Sequence, residues 1–256
     1  MKYFMDTTET VTSGVGFSHY GLLHVTWLFA FVIITVLSCI WYCRAGVTER
    51  NRWKKVIAIL LIADELFKVV MLLLGNRYRW SYLPLHLCSI NIFLIALHAW
   101  YPNKVLGGFL YTVAIPGALA ALLFPTWTSL PFLNFMHLHS FTVHILLALY
   151  PIVLAVSGEL SPQAKEIPKY LGLLVAMAVP ILFVNILLDT NFMFLMSADP
   201  GNPLYLFEEL WGNHLYGFPV IIAGVLIVMY VPLYVIRFCN HRNLKRGTKN
   251  GNKPRN

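Results

Sequence analysis

The sequence predicts an all-α, polytopic membrane bundle of seven transmembrane helices, with its N-terminus outside and its C-terminus cytoplasmic. Composition comes first: of 256 residues, 58% are hydrophobic and only 12% are charged, with a mean hydropathy of +0.67. A soluble domain carries about a quarter charged residues. Spacing comes second, since seven apolar stretches lie at about 22–42, 56–74, 83–100, 105–123, 141–157, 169–189 and 215–236. Each approaches the roughly 20 residues that a helix needs to cross a hydrocarbon core of about 30 Å. Alternation of period two is absent, which argues against a barrel. The third observation is a one-sided distribution of Lys and Arg.

Taken in order, stretch 22–42 follows some twenty polar and aromatic residues and runs into Trp41, Tyr42 and Cys43. It lacks a small-residue cleavage site and is expected to remain as a helix. Stretch 56–74 carries Asp64, Glu65 and Lys68. With Lys68 at i+4 from Asp64 and i+3 from Glu65, a structural ion pair is expected, with a proton relay as the alternative. Stretch 83–100 holds His86, Cys88, Asn91 and His98, and stretch 105–123 is uncharged. His137, His139 and Ser140 lead into stretch 141–157, which holds His144. Stretch 169–189 contributes Asn185 and Asp189, and stretch 215–236 follows Asn213 and His214. The long connections 124–140 and 190–214 are rich in Pro, aromatic and polar residues, as functional loops tend to be. The chain reads as one transmembrane domain, 1–240, with a basic tail, 241–256, expected to be disordered. No internal repeat is visible, so an inverted-repeat transporter finds no support.

Basic residues are retained on the cytoplasmic side. Arg44, Arg50, Arg52, Lys54, Lys55, Lys104, Lys165, Lys169 and seven residues of the tail make fifteen on one side of such a bundle. The other side has three: Lys2, Arg77 and Arg79. The net charge of +8 is concentrated in the tail, where it points to anionic inner-leaflet lipid as a partner. No nucleic-acid-reading motif accompanies it. Of the four cysteines, Cys39, Cys43 and Cys239 fall at cytoplasmic ends, so no disulfide framework is expected.

This orientation places His86, Cys88, Asn91, Asp64, Glu65, Lys68, His137, His139, His144, Asn185 and Asp189 between the midplane and the outer face. Polar groups that segregate by leaflet imply an outward-opening cavity inside the bundle. Cys88 and His144 lie at similar depth, roughly 7–9 Å below the surface at about 1.5 Å per residue. An ideal helix turns His86 away from the thiol, unless Pro84 distorts the first turn. His137, Ser140 and His144 share a stripe. A thiol beside an imidazole base can carry out acyl transfer, and Asn91, one turn beyond Cys88, is placed to serve as an auxiliary donor. A zinc site built from the histidines is disfavoured by the i+2 spacing of His137 and His139.

LPLHLCSINIFLIALH, with the following ALLFP and the His144 segment that ends in Tyr150-Pro151, resembles the YwaF-like integral membrane family. The likeness extends from the Asp64 to Lys68 segment through NFMFLMSADPGNPLYLFEELWG. That family reaches a eukaryotic transmembrane acyltransferase that remodels ether phospholipids. The resemblance therefore implies a Cys nucleophile at Cys88 and its base at His144. On this reading the protein is a multi-pass cell-membrane acyltransferase or acyl hydrolase without a cofactor, and membrane lipids are acyl donor or acceptor. His86, His137, His139, Asn185 and Asp189 are candidates for substrate binding. The competing class is a non-enzymatic carrier or receptor for a small polar solute, with Asp64, Lys68, Asn185 and Asp189 as its site.

Overall fold

Two residues, Ala45 and Gly46, reverse the chain between its first two helices, α1 (Leu22–Arg44) and α2 (Val47–Leu74). Both are extended, and Arg50 folds back to donate from Nε to the Ala45 carbonyl and from Nη2 to the Cys43 carbonyl. A cationic side chain thus satisfies carbonyls that the helix end leaves without partners. In the computed structural model, residues 2–198 and 202–250 are described, with side chains up to Tyr234. Every regular element among them is helical.

The third helix, α3, begins only at Leu87 and runs to Trp100, four residues later than the apolar stretch would allow. Leu83 precedes Pro84 and is held extended at φ −56, ψ 145, because the proline ring excludes the helical region from its neighbour. His86 consequently sits at the N-cap position, extended at φ −66, ψ 149. The span from Lys104 to Leu123 is built of α4 (Lys104–Phe109), a π-helical turn (Leu110–Ala114) and α5 (Ile115–Leu123). Asn103 caps its start by accepting from the backbone N–H of Val105 and Leu106. Pro116 has no N–H to return to the preceding turn, which accounts for the widened helix there.

The sixth helix, α6 (Phe135–Val156), starts earlier than stretch 141–157 because Asn134 caps it. The same side chain donates through Nδ2 to the carbonyls of Tyr3 and Asp6, so it also ties down the N-terminal segment. Then follow α7 (Ile167–Leu188), the short α8 (Tyr205–Trp211) and α9 (Gly217–Asn250). The backbone of α9 is helical through the basic stretch to Asn250, and residues 251–256 of the expected tail lie outside the described residues.

Helix α6 is the centre, packed against α1, α2, α3 and α5, with α7 against α4 and α9 against the π turn and α8. Leu61, Ile92, Ile95, Leu110 and Tyr150 are buried together in the core. By contrast, α1, α7 and α9 turn residues such as Phe29, Leu37, Phe183, Leu187 and Val228 outward. Continuous aliphatic faces of this kind belong in lipid, not water.

Contacts at the ends fix the path. At one end Phe17 donates to the Thr128 carbonyl at 2.8 Å, and Arg77 pairs with Asp6 at 3.9 Å. Gly16 lies so close to the Thr128–Ser129 backbone that any Cβ would collide with it. At the other end Glu159 accepts from Tyr42 at 2.9 Å and Lys54 at 3.0 Å. The α1–α2 hairpin therefore leaves the first end and returns to it.

Among the described residues, six spans are long and apolar enough to cross a membrane: Leu22–Arg44, Trp80–Trp100, Lys104–Leu123, Phe135–Val156, Ala164–Leu188 and His214–Tyr234. The seventh expected stretch, 56–74, is helical within α2 but holds three ionisable residues.

Candidate functional site

The interior-facing side of α2 carries Ala58, Leu61, Glu65, Lys68 and Leu72, all buried. Two ionisable groups on an otherwise apolar face need partners, and α2 and α6 supply them. Lys68 Nζ donates to Glu65 Oε1 at 2.5 Å. Asp64 turns instead toward α6, where its carboxylate accepts from Thr142 Oγ1 at 2.6 Å and meets His139 Nδ1 at 3.3 Å. The ion pair is therefore Glu65 with Lys68, because Asp64 is taken up by another helix.

His139 is held between two carboxylates. Its Nδ1 faces Asp64, and its Nε2 lies 3.8 Å from Glu65 Oε2. That Glu65 oxygen is buried and accepts no hydrogen bond among the described residues. Asn91, on α3, is 3% exposed, and its Oδ1 is likewise without a donor. An unpaired buried acceptor costs about 1–3 kcal/mol, so each of these two oxygens is open to a donor group.

Cys88 is half-buried one turn before Asn91, within electrostatic range of both Lys68 and Glu65. His86 packs its ring edge-on to Phe192 at 5.2 Å and lies near Phe194, which brings the 190–198 connection over the start of α3.

On α6 the imidazoles divide between faces. His137 accepts from Trp27 Nε1 at 3.0 Å and donates from Nδ1 to the Leu130 carbonyl at 3.2 Å, so one nitrogen serves the docking of α1 and the other holds the connection before α6. His144 donates from Nδ1 to the Ser140 carbonyl at 2.6 Å, and its ring is stacked on Trp127 at 5.4 Å with planes 10° apart. Its Nε2 has no hydrogen-bond partner among the described residues, and His86 and His139 lie within electrostatic range. A backbone carbonyl at Nδ1 fixes the tautomer, leaving Nε2 with the lone pair of a base.

Elsewhere the expected groups serve the frame. His98 Nδ1 pairs with the Tyr150 hydroxyl at 2.9 Å at the far end of α3. Asn185 accepts at Oδ1 from the Phe192 N–H and the Thr190 hydroxyl and donates from Nδ2 to the Phe192 carbonyl. Its amide holds the loop after α7, where Asp189 adopts a left-handed conformation at φ 51. Trp27, Trp127 and Thr142 escaped the sequence reading. Thr142 had a signal, since it lies three residues from His139 on the same helical face.

The profile of the TMEM164 family matches residues 18–235, which include every site residue described above. The chain belongs to that family of transmembrane proteins. No curated protein and no solved structure matches it.

Proposed function

We propose that this TMEM164-family chain is a membrane enzyme that transfers an acyl group between lipids, or hydrolyses it, through a thioester on Cys88. The observation that carries this reading is His144, clamped by Trp127 and Ser140 with Nε2 unengaged in the region of His86, two residues before Cys88. Resemblance to the YwaF-like family and its acyltransferase supports the same pair. In the first half-reaction His144 Nε2 takes the Sγ proton and the thiolate attacks the acyl carbonyl. The tetrahedral intermediate then collapses, and the departing lipid alkoxide takes the proton back from His144. In the second half-reaction an acceptor hydroxyl, or water, gives its proton to His144 and attacks the thioester, and Cys88 leaves as thiolate and takes that proton back from His144. Asn91 serves as an auxiliary donor to the oxyanion.

Alkylation of the full-length protein by a lipid-like electrophile near neutral pH tests the pair. Cys39 and Cys43, at the opposite end of α1, serve as internal references. We expect Cys88 to react fastest, His144→Ala to slow it roughly tenfold or more by lowering the thiolate fraction, and His98→Ala to leave it unchanged. A Cys88 rate indifferent to His144 would move the reading to the solute carrier or receptor.

The topology proposed with it has seven crossings in the cell membrane, α2 being the seventh, with the N-terminus outside and the C-terminus cytoplasmic. At about 1.5 Å per residue, the 28 residues of α2 are long enough to cross. In intact cells a membrane-impermeant reagent should label a tag at the N-terminus only. Labelling at the C-terminus would overturn the orientation.

A further inference from the structure

The opening turns of α2 divide their cations between two faces. Arg50 and Lys54 turn inward and are matched by Glu159, at 3.6 and 3.0 Å. Arg52 and Lys55 turn outward, are exposed, and have no Asp or Glu within 4 Å among the described residues. Among the described residues, an anion is thus supplied for the inner pair and none for the outer pair. These outer cations line an open groove of about 470 Å³ together with Thr48, Asn51, Val56 and Ile59. Val56 is 44% exposed and Ile59 55%, and Leu60 beside them is exposed as well.

The order of residues along the groove carries the argument. Val56 follows Arg52 by four residues and Ile59 follows Lys55 by four, so each aliphatic lies about 6 Å along the helix from its cation, on the same face. A soluble anion would use only the first half of such a groove and leave the aliphatic half in water. An acidic headgroup joined to an acyl chain would fill both. The groove lies where α2 passes from the basic end of the bundle into the apolar region, which is where a lipid presents its phosphate.

We propose that this face of α2 binds one anionic phospholipid. Its phosphate lies between Arg52 and Lys55, with Thr48 and Asn51 as further donors, and an acyl chain runs along Val56 and Ile59. The inference needs only a membrane surface at this end of the helix, so failure of the Cys88 alkylation test would leave it standing.

Native mass spectrometry of the full-length protein in detergent tests it by titration with dioleoyl phosphatidylglycerol against dioleoyl phosphatidylcholine. We expect a preference for phosphatidylglycerol of at least about tenfold. Arg52→Gln/Lys55→Gln should weaken its binding about 25-fold, at about fivefold per cation. Arg44→Gln/Lys104→Gln removes the same charge from exposed positions at the same end and should change binding less than about twofold. Equal losses in the two double variants would reduce the effect to bulk charge and overturn the site. So would equal affinity for water-soluble glycerophosphoglycerol, which lacks the chains that the aliphatic half requires.

Discussion

His24→Leu is expected to destabilise the purified protein by about 2–4 kcal/mol, although the substitution makes α1 more apolar. His24 is completely buried. Its Nδ1 accepts from the Tyr20 N–H at 2.9 Å, and its Nε2 bonds to the Leu122 carbonyl at 2.7 Å. A backbone N–H can only donate and a carbonyl can only accept, so the ring is a neutral imidazole with its proton on Nε2. Leucine would strand both backbone groups, at about 1–3 kcal/mol each. The loss falls where α1 joins the end of α5, whereas Trp27 fastens the same helix to α6 through His137. Denaturant unfolding followed by tryptophan fluorescence measures it. His24→Gln, which can both accept and donate, should recover part of the loss, whereas a stability within about 0.5 kcal/mol of wild type for His24→Leu would show that the two bonds do not hold α1 in place.

His24 also shows what the sequence could and could not disclose. The helices were legible because apolar length in a low-dielectric solvent leaves the backbone few alternatives. Their starts were less so, since Asn134 begins α6 with a side-chain cap and Pro84 delays α3, and neither signal depends on hydropathy. The docking of the N-terminal segment was hidden. It rests on backbone bonds from Phe17 and Phe135 and on the small size of Gly16, all between residues more than a hundred positions apart. Within the site, residue types were legible and pairings were not. Lys68 had two carboxylates within helical reach, and only the position of Thr142 and His139 on α6 decided which one it would keep.

That choice sets the other large effect. Lys68→Met should cost about 3–5 kcal/mol, the usual consequence of leaving a buried charge without its partner. Glu65 is 5% exposed, and its Oε2 already lacks a hydrogen bond, so the loss of Lys68 would leave it, among the described residues, with no ionic partner nearer than His139 at 3.8 Å. Glu65→Leu should cost a similar amount by stranding the ammonium. The double variant Lys68→Met/Glu65→Leu should recover most of the loss, because no charge of the pair is then left inside the bundle. Asp64→Asn combined with Lys68→Met should give nearly the sum of the single effects, since Asp64 is engaged by Thr142 and His139. The thermodynamic cycle reads this directly. Coupling of Lys68 to Asp64 as strong as to Glu65 would mean that the ammonium serves both carboxylates, and the assignment of His139 to Asp64 would have to be given up.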